Sequence, residues 1–355
     1  MQMGNSPSAF FILEIMKYSK PTFYLGLIVI GMTTFCTPKP AETSEDPIVN
    51  SAPILPSWNE SAQRDAIVQF VEKTTQSGSA DFVPENERIA VFDNDGTLWG
   101  EQPMYFQLFY AIDFIKKNAD SHPEWANVAS IQAILKDDLQ GALAGGEKAL
   151  AELVMASHAG MTEDEFNNSI KTWLESTTHP ETGKAYNKMI YQPMVELLEY
   201  LRANGYKTFI VSGGGIDFIR VWAEEAYGIP PYQVVGSSLK AKYEEKDGKL
   251  QVVKLPELNH FDDKEGKPVG IHQNIGMRPT IAVGNSDGDY QMIDYTTNSQ
   301  GPRLGIYIHH TDSVREYAYD RDSHIGQFAK GLDDADKKGW IVVDMANDWK
   351  TIYPD

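Results

Sequence analysis

Short apolar runs recur along this chain from residue 88 onward, and they limit the fold more than any other feature. Residues 88–92 read RIAVF, 207–211 KTFIV, 280–283 TIAV and 303–308 RLGIYI. Each has strand length and lacks alternation, which suits a strand buried on both faces, as in a parallel sheet. Helical patterns separate them. YQPMVELLEYLRANG ends at Gly205 and IDFIRVWAEEAYG ends at Gly228, while DYQMIDYTT follows the third run. A further strand, YQVVGSSL, leads into AKYEEKDGKLQVV, where Asp247 and Gly248 predict a hairpin turn. Such alternation implies an α/β fold, a doubly wound parallel sheet with right-handed crossovers. Ligands of such sheets bind beyond the carboxyl ends of the strands.

The run at 88–92 is preceded by an amphipathic helix carrying Ile67, Phe70 and Val71, and is followed by a long helical stretch. Met104, Leu108, Ile112 and Ile115 share one helical face, as do Val128, Ile131, Leu135 and Leu139. Thr162 to Glu165 reads as a capping box opening a helix with Phe166, Ile170, Trp173 and Leu174. The expected division is an α/β core at 58–99 and 191–355, with a helical cap at 100–190 inserted after the first strand.

The N-terminal region reads differently. From Met16, a candidate true start, Lys17 and Lys20 precede an apolar run at 23–35 and then Cys36, the chain's one cysteine. A basic segment followed by a short apolar one is the layout of an export signal; the run is shorter than the about 20 residues of a comfortable span. Its end resembles a lipoprotein signal, although Phe35 departs from the small residue wanted before the acylated cysteine. Residues 1–36 are therefore expected to direct export to the periplasm or to a membrane tether on a lipidated Cys36. Residues 37–57, rich in Pro, Ser, Thr and acids, form a linker. One cysteine permits no internal disulfide, and a net charge of −19 argues against nucleic acid as a partner.

Polar residues gather where the apolar runs end. Asp93 and Asp95 follow the first, and residues 212–215 (SGGG) follow the second. Lys267 precedes the third, which leads into GNSDGD at 284–289. Two carboxylates about 4 Å apart repel by roughly 4 kcal/mol at an effective dielectric near 20, so Asp93 and Asp95 need a reason to adjoin. Asp95-Gly96 between apolar runs is also a hairpin signal. An EF-hand loop fails on spacing, because its glycine position falls on Leu98 and its third ligand on Thr97. Carboxylates, a hydroxyl beside bare amides and a lysine, taken together, are what phosphoryl transfer requires.

FDNDGTLW, VSGGG, Lys267 and VGNSDGD, in this order over roughly 85–310, resemble the haloacid dehalogenase (HAD) superfamily and its phosphoserine-phosphatase-like branch. The resemblance implies a Rossmann-like core and a magnesium-dependent phosphatase acting on a small phosphorylated metabolite. Asp93 would be the nucleophile that becomes an aspartyl-phosphate, and Asp95 the general acid and base. Ser212 and the Gly213 and Gly214 amides, at a helix N-terminus, would hold the phosphoryl oxygens. Lys267 would pair with Asp93 and the phosphate, with Lys254 and Lys264 as rivals. Magnesium would be held by Asp93, Asp95, Asn285 and Asp289. Asn285 stands where the superfamily commonly has aspartate, so either Asn285 ligates while Asp289 supports it from behind, or Asp287 moves in. Glu101 and Gln102 reach toward substrate or lie at the surface. His309 and His310, adjacent on a strand, point to opposite faces and make a poor metal pair. A phosphotransferase would share every one of these residues, and a surface-anchored binding module is the reading from another class.

Overall fold

The computed structural model describes residues 53–354, so the export segment, Met16 and Cys36 lie outside the described residues. Helix α1 (Ala62–Thr75) leads to strand β1 (Ile89–Phe92), whose four residues are all buried. Helices α2 (Phe106–Asn118), α3 (Ala129–Ile134), α4 (Leu139–Leu143), α5 (Glu147–His158) and α6 (Glu163–Ser176) follow. Then come α7 (Gln192–Ala203), β2 (Lys207–Gly215), α8 (Ile216–Arg220) and α9 (Ala223–Tyr227). A hairpin of β3 (Val234–Lys246) and β4 (Lys249–His260) turns at Asp247 and Gly248, both with positive φ. The chain closes with α10 (Gly266–Asn274), β5 (Ile281–Gly284), α11 (Tyr290–Thr297), β6 (Leu304–His309), α12 (Lys330–Lys338), β7 (Ile341–Asp344) and α13 (Met345–Asp348).

These strands form one seven-stranded sheet in the order β4-β3-β2-β1-β5-β6-β7. Pairing is parallel except between β3 and β4. The order reverses beside β1, which puts the carboxyl ends of β1, β2 and β5 side by side at the switch point.

The helices between β1 and α7 pack in two ways. Phe106 and Tyr110 at the start of α2, and Phe166, Ile170 and Trp173 of α6, join Phe92, Ile210 and Phe218 in one apolar cluster. Leu108, Ala111 and Ile115 instead meet Ile131, Ile134, Ala142 and Leu153 in a separate small core. Thr162 and Glu165 make the expected capping box, with Glu165 N donating to Thr162 Oγ1 at 3.2 Å and Thr162 N to Glu165 Oε2 at 2.8 Å.

Three sequence expectations change. The face of Val128, Ile131, Leu135 and Leu139 is divided between two helices, because Asp137 takes φ 59° and Asp138 caps α4 through Gly141 N. The helix ending at Gly228 likewise divides into α8 and α9. The strand YQVVGSSL and the first arm of the hairpin are one continuous thirteen-residue strand, β3. The pairing β6–β7 at the C-terminus was not apparent from the sequence.

Candidate active site

Lys267, in the first turn of α10, is the hub of the switch point. Its Nζ donates to Asp93 Oδ1 at 2.7 Å, Asp289 Oδ1 at 2.7 Å and the Val211 carbonyl at 2.9 Å. All three donor hydrogens of an ammonium are thus used, and only 2 % of the residue is exposed. Burial works against its charge, but the Asp289 and Asp93 carboxylates outweigh it and hold the amine above the usual lysine range. Asp93 itself is pushed well up by burial and then by Asp289, against the pull of Lys267. The rival Lys254 lies on β4, over the Phe166 ring at 4.6 Å and 3.5 Å from Asp217. Lys264 lies in the loop before α10, with φ 49°.

Asp93 continues the ladder beyond β1, its amide donating to the Val283 carbonyl at 2.9 Å. Two residues on, Asp95 turns its carboxyl to the other side of the site. Trp99 Nε1 donates to Asp95 Oδ1 at 2.8 Å, so the indole of the same motif holds the carboxyl in place. Burial raises the Asp95 carboxyl, opposed mainly by that bond. Gly96 makes the reversal possible. Its φ is +71°, and a Cβ there would lie 2.1 Å from Asn285 Nδ2 and 2.4 Å from Glu101 Oε1, so only glycine fits.

On the β2 side, the Gly214 amide donates to Ser212 Oγ at 3.0 Å. A Cβ on Gly214 would sit 3.3 Å from Asp95 Oδ2, 3.3 Å from Ser212 Oγ and 3.4 Å from Gln107 Oε1. Those three groups therefore converge on one bare backbone position. The expectation of Gly213 and Gly214 amides at a helix N-terminus needs correction: β2 stays extended through Gly215, and α8 begins only at Ile216. Gly215 N is taken by Gln107 Oε1 at 2.7 Å.

Gln107, on α2, was not foreseen. Its Nε2 lies 3.0 Å from His158 Nε2, and His158 Nδ1 lies 2.8 Å from Ser157 Oγ, which donates to the Val154 carbonyl. With that hydroxyl accepting, Nδ1 carries the proton and Nε2 accepts from Gln107. Burial, with Lys254 nearby, drives His158 down to about 3, so the ring is neutral. The helical insertion thus reaches the SGGG segment through uncharged groups.

Asn285, Asp287 and Asp289 of GNSDGD separate into three roles. Asp289 is fully buried, with Oδ1 on Lys267 and Oδ2 accepting from Asn285 N at 2.9 Å and Ser286 N at 3.1 Å. Its oxygens are engaged by other groups, which counts against the direct metal contact expected of it and favours support from behind. Asp287 faces away: Oδ2 accepts from Ala329 N at 3.2 Å and Lys330 N at 3.0 Å, and Oδ1 from Gly331 N at 2.8 Å. It caps α12 rather than moving into the site. Asn285 is buried, with Oδ1 accepting from Thr97 Oγ1 at 3.2 Å. Ser-x-x-Asp at 286–289 is a capping-box pattern, and that was the available signal for Asp289.

Glu101 is 2 % exposed, which excludes a surface role. Its Oε1 accepts from Asn285 Nδ2 and from the Tyr319 hydroxyl, both at 2.7 Å, and burial raises the carboxyl to about 7. Gln102 points elsewhere, donating to the Ile325 carbonyl at 3.1 Å. His310 Nε2 donates to the Gly96 carbonyl at 2.7 Å, its ring stacks on Tyr319, and Nδ1 faces Glu316 at 3.3 Å. His309 faces Asp320 at 3.4 Å, so the two histidines serve separate contacts.

Among the described residues no three His, Cys, Asp or Glu side chains gather as a metal cluster. What converges is a mixed oxygen set: Asp93, the Asp95 segment and the Asn285 amide. Hard oxygen donors, too few for a closed cage, suit magnesium, which keeps several waters, and do not suit a nitrogen or sulfur metal. Carboxylates raised by burial also form a setting that a dication relieves. The residues fit a magnesium ion.

The family profile of haloacid dehalogenase-like hydrolases matches residues 90–294, and the chain belongs to that family. No protein of curated function matches the sequence. Among solved structures, a conserved protein of unknown function from Anaerococcus prevotii DSM 20548 is similar at 17% identity, with a TM-score of 0.50 over 77% of this chain and 88% of that one. A protein of unknown function from Bordetella pertussis Tohama I matches at 16% identity, over 73% of this chain and 99% of that one, with a TM-score of 0.45. A probable phosphoserine phosphatase from Vibrio cholerae matches at 19% identity, over 73% and 65%, with a TM-score of 0.37.

Proposed function

We propose that this chain is a magnesium-dependent phosphomonoesterase working through an aspartyl-phosphate on Asp93, with a small phosphorylated metabolite as substrate. The observation that carries this is the Lys267 ammonium joining Asp93 to Asp289 at 2.7 Å each, with Asp95 and Ser212 converging on Gly214 across the same switch point. Lys267 holds Asp93 Oδ1, so the other carboxyl oxygen attacks phosphorus. The bond from phosphorus to the leaving oxygen breaks as the Asp93–phosphorus bond forms. Asp95, kept in place by Trp99 and raised by burial, gives its proton to the leaving oxygen. It then takes a proton from the water that hydrolyses the aspartyl-phosphate. Ser212 and the Gly213 amide would hold phosphoryl oxygens, the Gly214 and Gly215 amides being taken by Ser212 Oγ and Gln107 Oε1.

A magnesium ion would be held by Asp93, the Asp95 main-chain carbonyl and Asn285, with Asp289 fixing the Asn285 amide, and would offset the phosphoryl charge. The helical segment 100–190 would act as the cap that selects substrate. Residues 1–36 would export the protein, with Cys36 as a lipid anchor and 37–52 as the tether; the linker expected to reach residue 57 ends earlier, because Leu55 is buried and Ser57 N donates to Glu196 Oε2 at 2.8 Å.

Phosphate release from a panel of phosphomonoesters, with and without magnesium, tests this against Asp93→Asn. Metal-dependent turnover that falls at least about a thousandfold in the variant supports the reading. Phosphoryl transfer to an acceptor without phosphate release points to a transferase. A folded protein inactive on every ester and acceptor abandons the enzyme for a binding module.

A further inference from the structure

Asn285 gives the cation site an amide where a carboxylate would bring charge, and the structure holds a carboxylate directly behind that amide. Glu101 Oε1 receives Asn285 Nδ2 at 2.7 Å, inside the protein and beside Gly96. A carboxylate only accepts, so it fixes the amide: Nδ2 points to Glu101 and Oδ1 points away from it, toward Thr97. Two further features hold Glu101 there. The Tyr319 hydroxyl donates to the same oxygen at 2.7 Å. Gly326, at φ +69°, passes so close that a Cβ would come within 2.1 Å of Oε1. An aspartate at 285 would face Glu101 as a second carboxylate at hydrogen-bond distance. Asn285 and Glu101 are therefore complementary, and neither identity is independent of the other.

We propose that Glu101 supplies, through Asn285, the negative charge that the magnesium site lacks at position 285, acting as a positioning residue that aims Asn285 Oδ1 at the cation. This rests on the magnesium-dependent reading above and assigns a role to a residue outside the four strand-end motifs. Hydrogen-bond partners of metal ligands typically change affinity 10–100-fold when altered.

The test is calorimetric titration of magnesium into the purified protein at about pH 8.5, where Glu101 is ionised, with a thermal melt in chelator to check folding. E101Q can still accept from Asn285 but carries no charge, and should bind magnesium about 10–100-fold more weakly. N285D, despite its added charge, should also bind more weakly, because its carboxylate opposes Glu101. The double variant E101Q/N285D mirrors the pair, with glutamine donating to aspartate, and should return to within about threefold of wild type. Unchanged affinity in E101Q overturns the proposal, as does a double variant whose two losses simply add. Should E101Q fail to fold, N285D decides alone: tighter binding overturns the pairing and weaker binding supports it. Wild type without magnesium affinity would sink the magnesium reading itself.

Discussion

The two walls of the candidate site are built on opposite electrostatic plans. At β1, β5 and α10, a buried ammonium joins two carboxylates with bonds of 2.7 Å, and each group depends on the others' charge. At β2 and the helical insertion, Gly215, Gln107, His158 and Ser157 are linked by hydrogen bonds without formal charge. A buried charge deprived of its partner is costly, whereas a neutral hydrogen bond is worth about 1 kcal/mol. The charged wall is accordingly unforgiving, and the neutral wall can change without the fold failing. In a hydrolase, that places reaction chemistry on the first wall and leaves adjustable contacts on the second.

The largest expected effect comes from removing the hub. Lys267→Met leaves Asp93 and Asp289 facing each other in the interior and should lower stability by about 3–5 kcal/mol, read from urea unfolding at pH 7. If it costs no more than the Gln107 variant below, the contrast between the walls is wrong. Asp95→Asn removes a proton donor while keeping shape and the Trp99 contact, so it should unfold like wild type but turn over about 10²–10⁴-fold more slowly on any ester hydrolysed by the native protein.

A smaller effect separates the walls by pH. In the fold the His158 ring stays neutral down to about 3, whereas in the unfolded chain it takes a proton below about 6.5. The unfolded state then binds the extra proton, so this contribution is fully present above pH 6.5 and is lost as pH falls toward 3. Each unit inside that window is worth about 1.4 kcal/mol. His158→Gln should flatten the acid limb of the stability curve by that slope. An unaltered curve would mean the ring is not held neutral. The smallest change is expected of Gln107→Leu, about 1 kcal/mol in stability and about tenfold in kcat/KM, with the size differing between substrates. A uniform loss across all esters would place Gln107 in the shared phosphate contacts rather than among the adjustable ones.

The charged wall was also the legible one. Asp93 and the 284–289 segment each follow a short apolar run, and parallel strand topology is enough to bring those ends together. Lys267 is 174 residues from Asp93, yet it could be singled out by its place one helix before a strand. On the neutral wall only Ser212, at the end of its own apolar run, had such an anchor. Gln107 and His158 are ordinary polar residues on two helices, and their meeting depends on how α2 packs against α5. Within GNSDGD the sequence shows Asn285, Asp287 and Asp289 as look-alike candidates. Only the fold separates Asp287, which receives the first amides of α12, from Asp289, which receives those of Asn285 and Ser286. Glu101 was visible just past FDNDGTLW, but its partner Tyr319 lies 218 residues away.

One further feature lies away from the site. Trp58 packs edge-on against Trp349 at 6.0 Å, Asn59 N donates to the Asp348 carbonyl, and Lys350 N donates to the Ser57 carbonyl. The first and last stretches of the folded region are thus stitched to each other, and the polypeptide runs nearly in a closed circle. A circle can be opened elsewhere: joined across this seam and cut at an exposed turn such as the one holding Gly183, the same sequence should reach the same fold. Any pull transmitted along the preceding residues would load the tryptophan clasp before it reached a catalytic strand.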